Sequence, residues 1–306
     1  MEGHRFDMCR RINIFFPCLM LFYFFGTLIL SYWINANGIY VPYYASIIIS
    51  QLMLLLPAGV YIAKFKINVY RCIPYRKIKP LDILLSLAVG YLLVPITLIL
   101  NFITTLIFRN YAASSISELT SYPFLFQVLL IAVIPALTEE FIFRGLFYHS
   151  YRRNGIVGAA IFSAIVFGAA HLNINQFCYA VVMGFVFAYL VEATGSMWSS
   201  MLAHFAFNTY SITMTKIFEV FKVNAENINI SIISLIGMAV VGGVLTKLII
   251  DYMAKRNGKY NMIRYQNHFG VASYNNEQFA TVPYIVTIVV IIIYMVVSEM
   301  LMTIYL

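Results

Sequence analysis

Nine apolar stretches take up most of this 306-residue chain, near residues 14–35, 41–63, 82–108, 123–149, 156–171, 176–192, 197–217, 229–250 and 282–306. Runs of about 20 apolar residues are what a helix needs to cross a bilayer. A membrane barrel would instead alternate apolar and polar residues over about ten positions, and these runs are apolar all round. The expected fold class is therefore all-α, a polytopic transmembrane helix bundle of about 8–9 spans. Composition agrees: 10% of residues are charged, where a soluble domain averages about 25%.

A net charge of +8 invites a nucleic-acid reading, but the placement of the charges rejects it. Lysine and arginine collect at Arg5, Arg10 and Arg11, six times between Lys64 and Lys79, at Arg152 and Arg153, and four times between Lys255 and Arg264. These clusters fall on every second connection between spans, the positive-inside pattern. They predict a cytoplasmic N-terminus, an external C-terminus, and lipid rather than nucleic acid as partner. Arg10 and Arg11 before an apolar run loosely resemble a signal peptide. The run is long and "SYWINANG" offers no small-residue cleavage site, so a retained first span is expected. Four scattered cysteines suggest neither a disulfide framework nor a zinc knuckle. Ile-, Asn- and Tyr-rich composition points to an AT-rich bacterial genome and a bacterial plasma membrane. The chain divides into N-terminal transmembrane helices over 1–120, a core over 121–218, and C-terminal helices over 219–306 with a polar stretch, 251–280, read as a cytoplasmic loop.

Within the fourth run, "ALTEEFIFRG" packs Glu139, Glu140 and Arg144 into six residues. A charge at mid-membrane costs roughly 3 kcal/mol or more unless it is compensated. Glu140 and Arg144 are four apart with the carboxylate first, the favourable order for a helical ion pair. Glu139 is rotated about 100° away and is left without a local partner, the condition for a general base or acid. Helix packing alone accounts for the pair; the spare Glu139 points to function. Further on, "FGAAH" ends at His171, and "HFAFN" puts His204 and Asn208 four apart on one helical face. The plainer reading of each histidine is a hydrogen-bonded core residue. Glu192 reads as a helix-end cap, His149 as an interfacial residue, and Glu299 has no partner that the sequence identifies. By rise per residue, Glu139 would lie about 16 Å from the cytoplasmic end, His171 about 24 Å and His204 about 10 Å, so the three stand level only if a helix tilts or a turn is submerged.

"EEFIFR", "FGAAH" and "HFAFN" are similar to the EExxxR, FxxxH and HxxxN motifs of the CPBP family of intramembrane proteases. That family includes type II CaaX prenyl proteases and bacteriocin-immunity relatives. The order and the gaps of about thirty residues also match, over roughly 120–215. The resemblance implies a helical bundle of about eight spans and an intramembrane endopeptidase acting on a peptide or protein substrate. It implies that Glu139 with His171 holds and deprotonates a water, that His204 and Asn208 stabilise the oxyanion, and that Glu140 and Arg144 form a clamp. Zinc at Glu139, His171 and His204 is the alternative, since a catalytic zinc takes three protein ligands and an open position. The HExxH spacing is absent and asparagine is a weak ligand, so no cofactor is expected. Two further readings stay open: a transporter or channel with an intramembrane charged path, and a non-catalytic immunity or scaffold protein. The AT-rich composition argues against a prenylated substrate.

Overall fold

A computed structural model describes residues 8–108, 121–221, 231–269 and 279–305. Arg5 and the 270–278 part of the polar stretch lie outside the described residues. Each of the nine apolar runs is helical: α1 (Met8–Ala36), α2 (Tyr43–Lys64), α3 (Pro80–Thr105), α4 (Phe124–Asn154), α5 (Ile156–Ala169), α6 (Ile174–Thr194), α7 (Met197–Val220), α8 (Ile232–Arg256) and α10 (Val282–Tyr305). Seven of them are long and apolar enough to span a bilayer, α5 and α7 being the exceptions. The fourteen residues of α5 reach about 21 Å, short of a hydrocarbon core of about 30 Å. The length of α7 suffices, but its serines, His204 and Asn208 make it polar, and most of its first half is buried by its neighbours. The 251–280 stretch is not the simple loop expected: α8 runs on through Arg256, and α9 (Tyr260–Phe269) occupies the next turns.

Helix ends follow from local chemistry. Pro80 opens α3 at its first turn, where the missing N–H costs nothing. The Asn173 side chain accepts from the Gln176 amide to cap α6, and that helix stops at Gly195, φ 70°, a left-handed conformation that costs glycine little. Only Gly195 and Ser196 separate α6 from α7, so the two form a tight hairpin.

Helix α4 runs through the middle of the bundle. Helices α1 and α2 pack on one side of it and α5 and α7 on the other, with α6 against α5 and α7. Helix α3 packs on α7, α8 on the outside of α3, and α10 against α1. Phe16, Phe143, Phe147, Tyr151 and Phe167 are fully buried in one cluster that joins α1, α4 and α5. Where α3 crosses α7 the backbones touch: a Cβ on Gly90 would lie 2.2 Å from the carbonyl oxygen of Ala203. Small residues at such crossings let helices in lipid approach closely.

Ion pairs staple one end of the bundle. Glu192 is not a helix cap. It is buried in α6 and accepts from the Tyr148 hydroxyl at 2.8 Å and from Arg152 Nη2 at 2.8 Å, both on α4. A second staple joins α3 to α8: buried Asp82 accepts from Arg256 Nη1 at 2.8 Å and from Asn257 Nδ2 at 3.0 Å.

Candidate active site

The backbone of α4 is irregular around its charged residues. Two π-helical segments, Leu129–Val133 and Phe141–Tyr148, flank the regular stretch Ile134–Glu140. Pro135 supplies the cause at the first. Its ring has no N–H to offer the carbonyl four residues back, that of Ile131, and would clash with it in a regular helix. Asn208 meets the freed carbonyl, donating from Nδ2 to Ile131 O at 3.0 Å. One N–H of the Asn208 amide is thereby spent on structure and the other remains to donate.

Glu140 and Arg144 pair at 3.0 Å with both side chains buried. Around that contact the guanidinium is held by ring faces, with its carbon 4.4 Å from the centroid of Phe167 and 5.3 Å from that of Phe187. Cations are drawn to such faces most strongly where water is absent. Glu140 is more than a partner for arginine, however. The same oxygen, Oε1, lies 2.9 Å from Nδ1 of His204. A carboxylate oxygen accepts, so Nδ1 carries a proton and Nε2 is the ring atom left to face the site.

Glu139 is not the partnerless carboxylate that its own helix suggested. Gln51 of α2 donates from Nε2 to its Oε1 at 3.0 Å, and the Thr138 hydroxyl donates to the other end of the same amide. The second carboxylate oxygen, Oε2, stands 3.9 Å from His204 Nε2. The charge of Glu139 also reaches the hydroxyls of Tyr23 in α1 and Tyr179 in α6. Gln51 escaped the sequence reading although it left a trace there, an amide inside the apolar run "SIIISQLMLLL". Such a group must find a partner in hydrocarbon.

His171 ends α5 and turns Nδ1 to the carbonyl of Phe167 at 2.9 Å. A carbonyl only accepts, so this ring too presents Nε2. Phe167 packs edge-on against both imidazoles, with ring centroids at 5.0 Å from His171 and 5.8 Å from His204. Helices α4 and α7 therefore bring Glu139, Glu140, Arg144 and His204 together. His171 sits on the far end of a phenylalanine, and Asn208 on the backbone of α4. The α6–α7 turn is covered by other parts of the chain: Ala193, Ser196 and Met197 are buried, and the Ser196 hydroxyl donates to the Arg76 carbonyl.

As a metal site the set does not fit. Among the described residues, no three His, Cys, Asp or Glu side chains gather as metal ligands, the trio Glu139, His171 and His204 included.

Residues 120–210 match the model of a family described as Type II CAAX prenyl endopeptidase Rce1-like. All seven fixed residues of the three motifs, Phe167 included, lie inside that match. Over 89 residues the chain is 27% identical to the "Putative membrane peptidase YdiL" of Bacillus subtilis (strain 168). That alignment takes in 29% of this chain and 36% of the relative's length, so about a third of the relative is shared. No solved structure matches the chain.

Proposed function

We propose that this chain, which over residues 120–210 matches the model of a family described as Type II CAAX prenyl endopeptidase Rce1-like, is an intramembrane endopeptidase whose water is activated by Glu139. The observation that carries the reading is the placement of that carboxylate. It is buried in the bundle, tied through one oxygen to Gln51, with the other 3.9 Å from His204 Nε2. Two hydrogen bonds of ordinary length, near 2.8 Å, to one water bridge such a gap.

In the proposed step, Glu139 Oε2 takes a proton from the water as the water oxygen bonds to the scissile carbonyl carbon. Glu139 then returns the proton to the amide nitrogen as the carbon–nitrogen bond breaks. His204, fixed through Nδ1 by Glu140, holds the water with Nε2, while His171, its Nδ1 on the Phe167 carbonyl, stands across Phe167 from His204. That tautomer assigns His204 to the water rather than to the oxyanion. The spare N–H of Asn208 then supplies the oxyanion donor, a contribution that mutagenesis elsewhere values at about 10²–10³ in rate. Arg144 holds Glu140 and so holds His204. No step is routed through a metal. The substrate is a polypeptide segment that reaches the bilayer, with Arg152 and Arg256 at the cytoplasmic face of a bacterial plasma membrane.

The test uses the full chain in lipid nanodiscs and a defined mixture of synthetic peptides, read by mass spectrometry. Glu139→Gln keeps size and fold but removes the basic oxygen, and is expected to slow cleavage about 10²–10⁴-fold. Undiminished cleavage by Glu139→Gln overturns the reading. A wild type that leaves every peptide whole yet carries protons into liposomes favours the transporter class instead.

A further inference from the structure

The residue that holds Glu139 lies outside the family-matched segment. Gln51 belongs to α2, which packs against α4, and it is 8% exposed. An amide buried without hydrogen bonds costs several kcal/mol, on the order of 2–7 by reference state, so both ends must be met. They are met by consecutive residues of α4: Oε1 accepts from the Thr138 hydroxyl, and Nε2 donates to Glu139 Oε1 at 3.0 Å. The direction of the amide is fixed by chemistry. With Glu139 ionised, as the base reading requires, its carboxylate can only accept, so the nitrogen faces Glu139; the Thr138 hydroxyl, also 2.9 Å from the Ile134 carbonyl, shares its one proton between that carbonyl and the amide oxygen.

This bond makes the two carboxylate oxygens unequal. Oε1 is occupied, and Oε2 is the oxygen that faces His204. We propose that Gln51 is a positioning residue for Glu139, fixing the plane of its carboxylate and selecting Oε2 as the oxygen that takes the proton from water. The proposal rests on the reading of Glu139 as the base. The other charged or titratable groups around Glu139 are Tyr23 from α1, Tyr179 from α6, His204 from α7, and Glu140 and Arg144 from α4 itself. Among these contacts Gln51 is a neutral donor that stays a donor whatever the pH. On this view the motif segment does not aim its own base; α2 does so from outside it.

Infrared difference spectra of wild type against Glu139→Gln, on the full chain in nanodiscs without substrate, isolate the carboxylate bands of Glu139. Gln51→Leu removes both hydrogen-bonding ends at similar volume and is expected to shift the antisymmetric carboxylate band. Thr138→Val, which frees the amide to turn, is expected to shift it less and in the same sense. On the peptide mixture, Gln51→Leu is expected to lower kcat by about 10-fold or more, the scale of a misaimed group, with KM little changed. If Gln51→Leu fails to fold, Gln51→Asn is one methylene shorter, stays polar, and is expected to release the carboxylate in the same way. An unmoved band in the folded variant, or a moved band with wild-type kcat, overturns the proposal. Failure of the base reading shows separately, as normal cleavage by Glu139→Gln whatever the spectra give.

Discussion

The imidazole of His204 meets the carboxylate of Glu140 at 2.9 Å, across sixty-four residues of sequence. With Arg144 on the same oxygen, Glu140 anchors both the cation of its own helix and the ring of α7.

Removing the cation therefore has two consequences. Arg144→Ala leaves a fully buried carboxylate without its charge partner, a penalty of about 3–5 kcal/mol. The expected outcome is a clearly lower unfolding temperature in detergent, with slower peptide cleavage in whatever protein folds. Arg144→Lys is not expected to rescue it, because an ammonium lacks the flat face that lies between Phe167 and Phe187. An Arg144→Ala protein as stable and active as wild type removes the clamp from the account.

Asn208 carries two jobs that separate experimentally. Losing the bond to the Ile131 carbonyl should cost about 1 kcal/mol of stability. Losing an oxyanion donor should cost roughly 10²–10³-fold in kcat. Asn208→Ala is expected to show both. Lower stability with unchanged kcat would confine Asn208 to supporting α4.

The staple between α4 and α6 is tested by Arg152→Ala. Arg152 is 30% exposed in its side chain, against 6% for Glu192, so water screens the pair and the loss should be about 2 kcal/mol, less than for the buried Glu140 pair. Glu192→Gln, which keeps the Tyr148 hydrogen bond, should lose less. Equal unfolding temperatures for wild type and Arg152→Ala would contradict the staple.

Gly90→Ala probes the crossing of α3 and α7. The added methyl would meet backbone at 2.2 Å, which cannot rotate away as a side chain can. Overpacking of this kind costs about 1–3 kcal/mol. Because α7 carries His204, cleavage should slow as well. Retained stability and rate would mean that α7 has room to shift.

Chelators should leave the wild-type rate unchanged, measured on the same peptide mixture. Loss of activity that added zinc restores would recast Glu139 and the histidines as ligands.

Much of this arrangement is legible in the amino-acid order alone. The nine apolar runs became helices because hydrocarbon leaves a backbone few other ways to satisfy its hydrogen bonds. Glu140 and Arg144 paired as their spacing required. What was hidden depends on contacts between helices. Four-residue spacing cannot say that His204 turns to Glu140, nor that Gln51, 88 residues before Glu139 in sequence, supplies its donor. Glu192 looked like a cap because its partner, Arg152, comes from another helix. Nor could counting show that the α6–α7 turn is buried against the Ile73–Arg76 segment.

The π-helical segments of α4 bear on how this helix can vary between relatives. Each widened turn holds a residue more than a regular one, so it resets the angular phase between the turns before it and the turns after it. Ahead of Leu129–Val133, Tyr122 and Phe126 pack on Tyr44 of α2; after it come Glu139 and Glu140. Deleting one residue inside 129–133 would let the wide turn close into a regular one and keep these groups in phase, whereas a deletion in the regular stretch Ile134–Glu140 would turn Tyr122 and Phe126 about 100° relative to the carboxylates. The wide turns are thus slack counted in degrees, places where α4 can lose a residue without turning its two halves against each other.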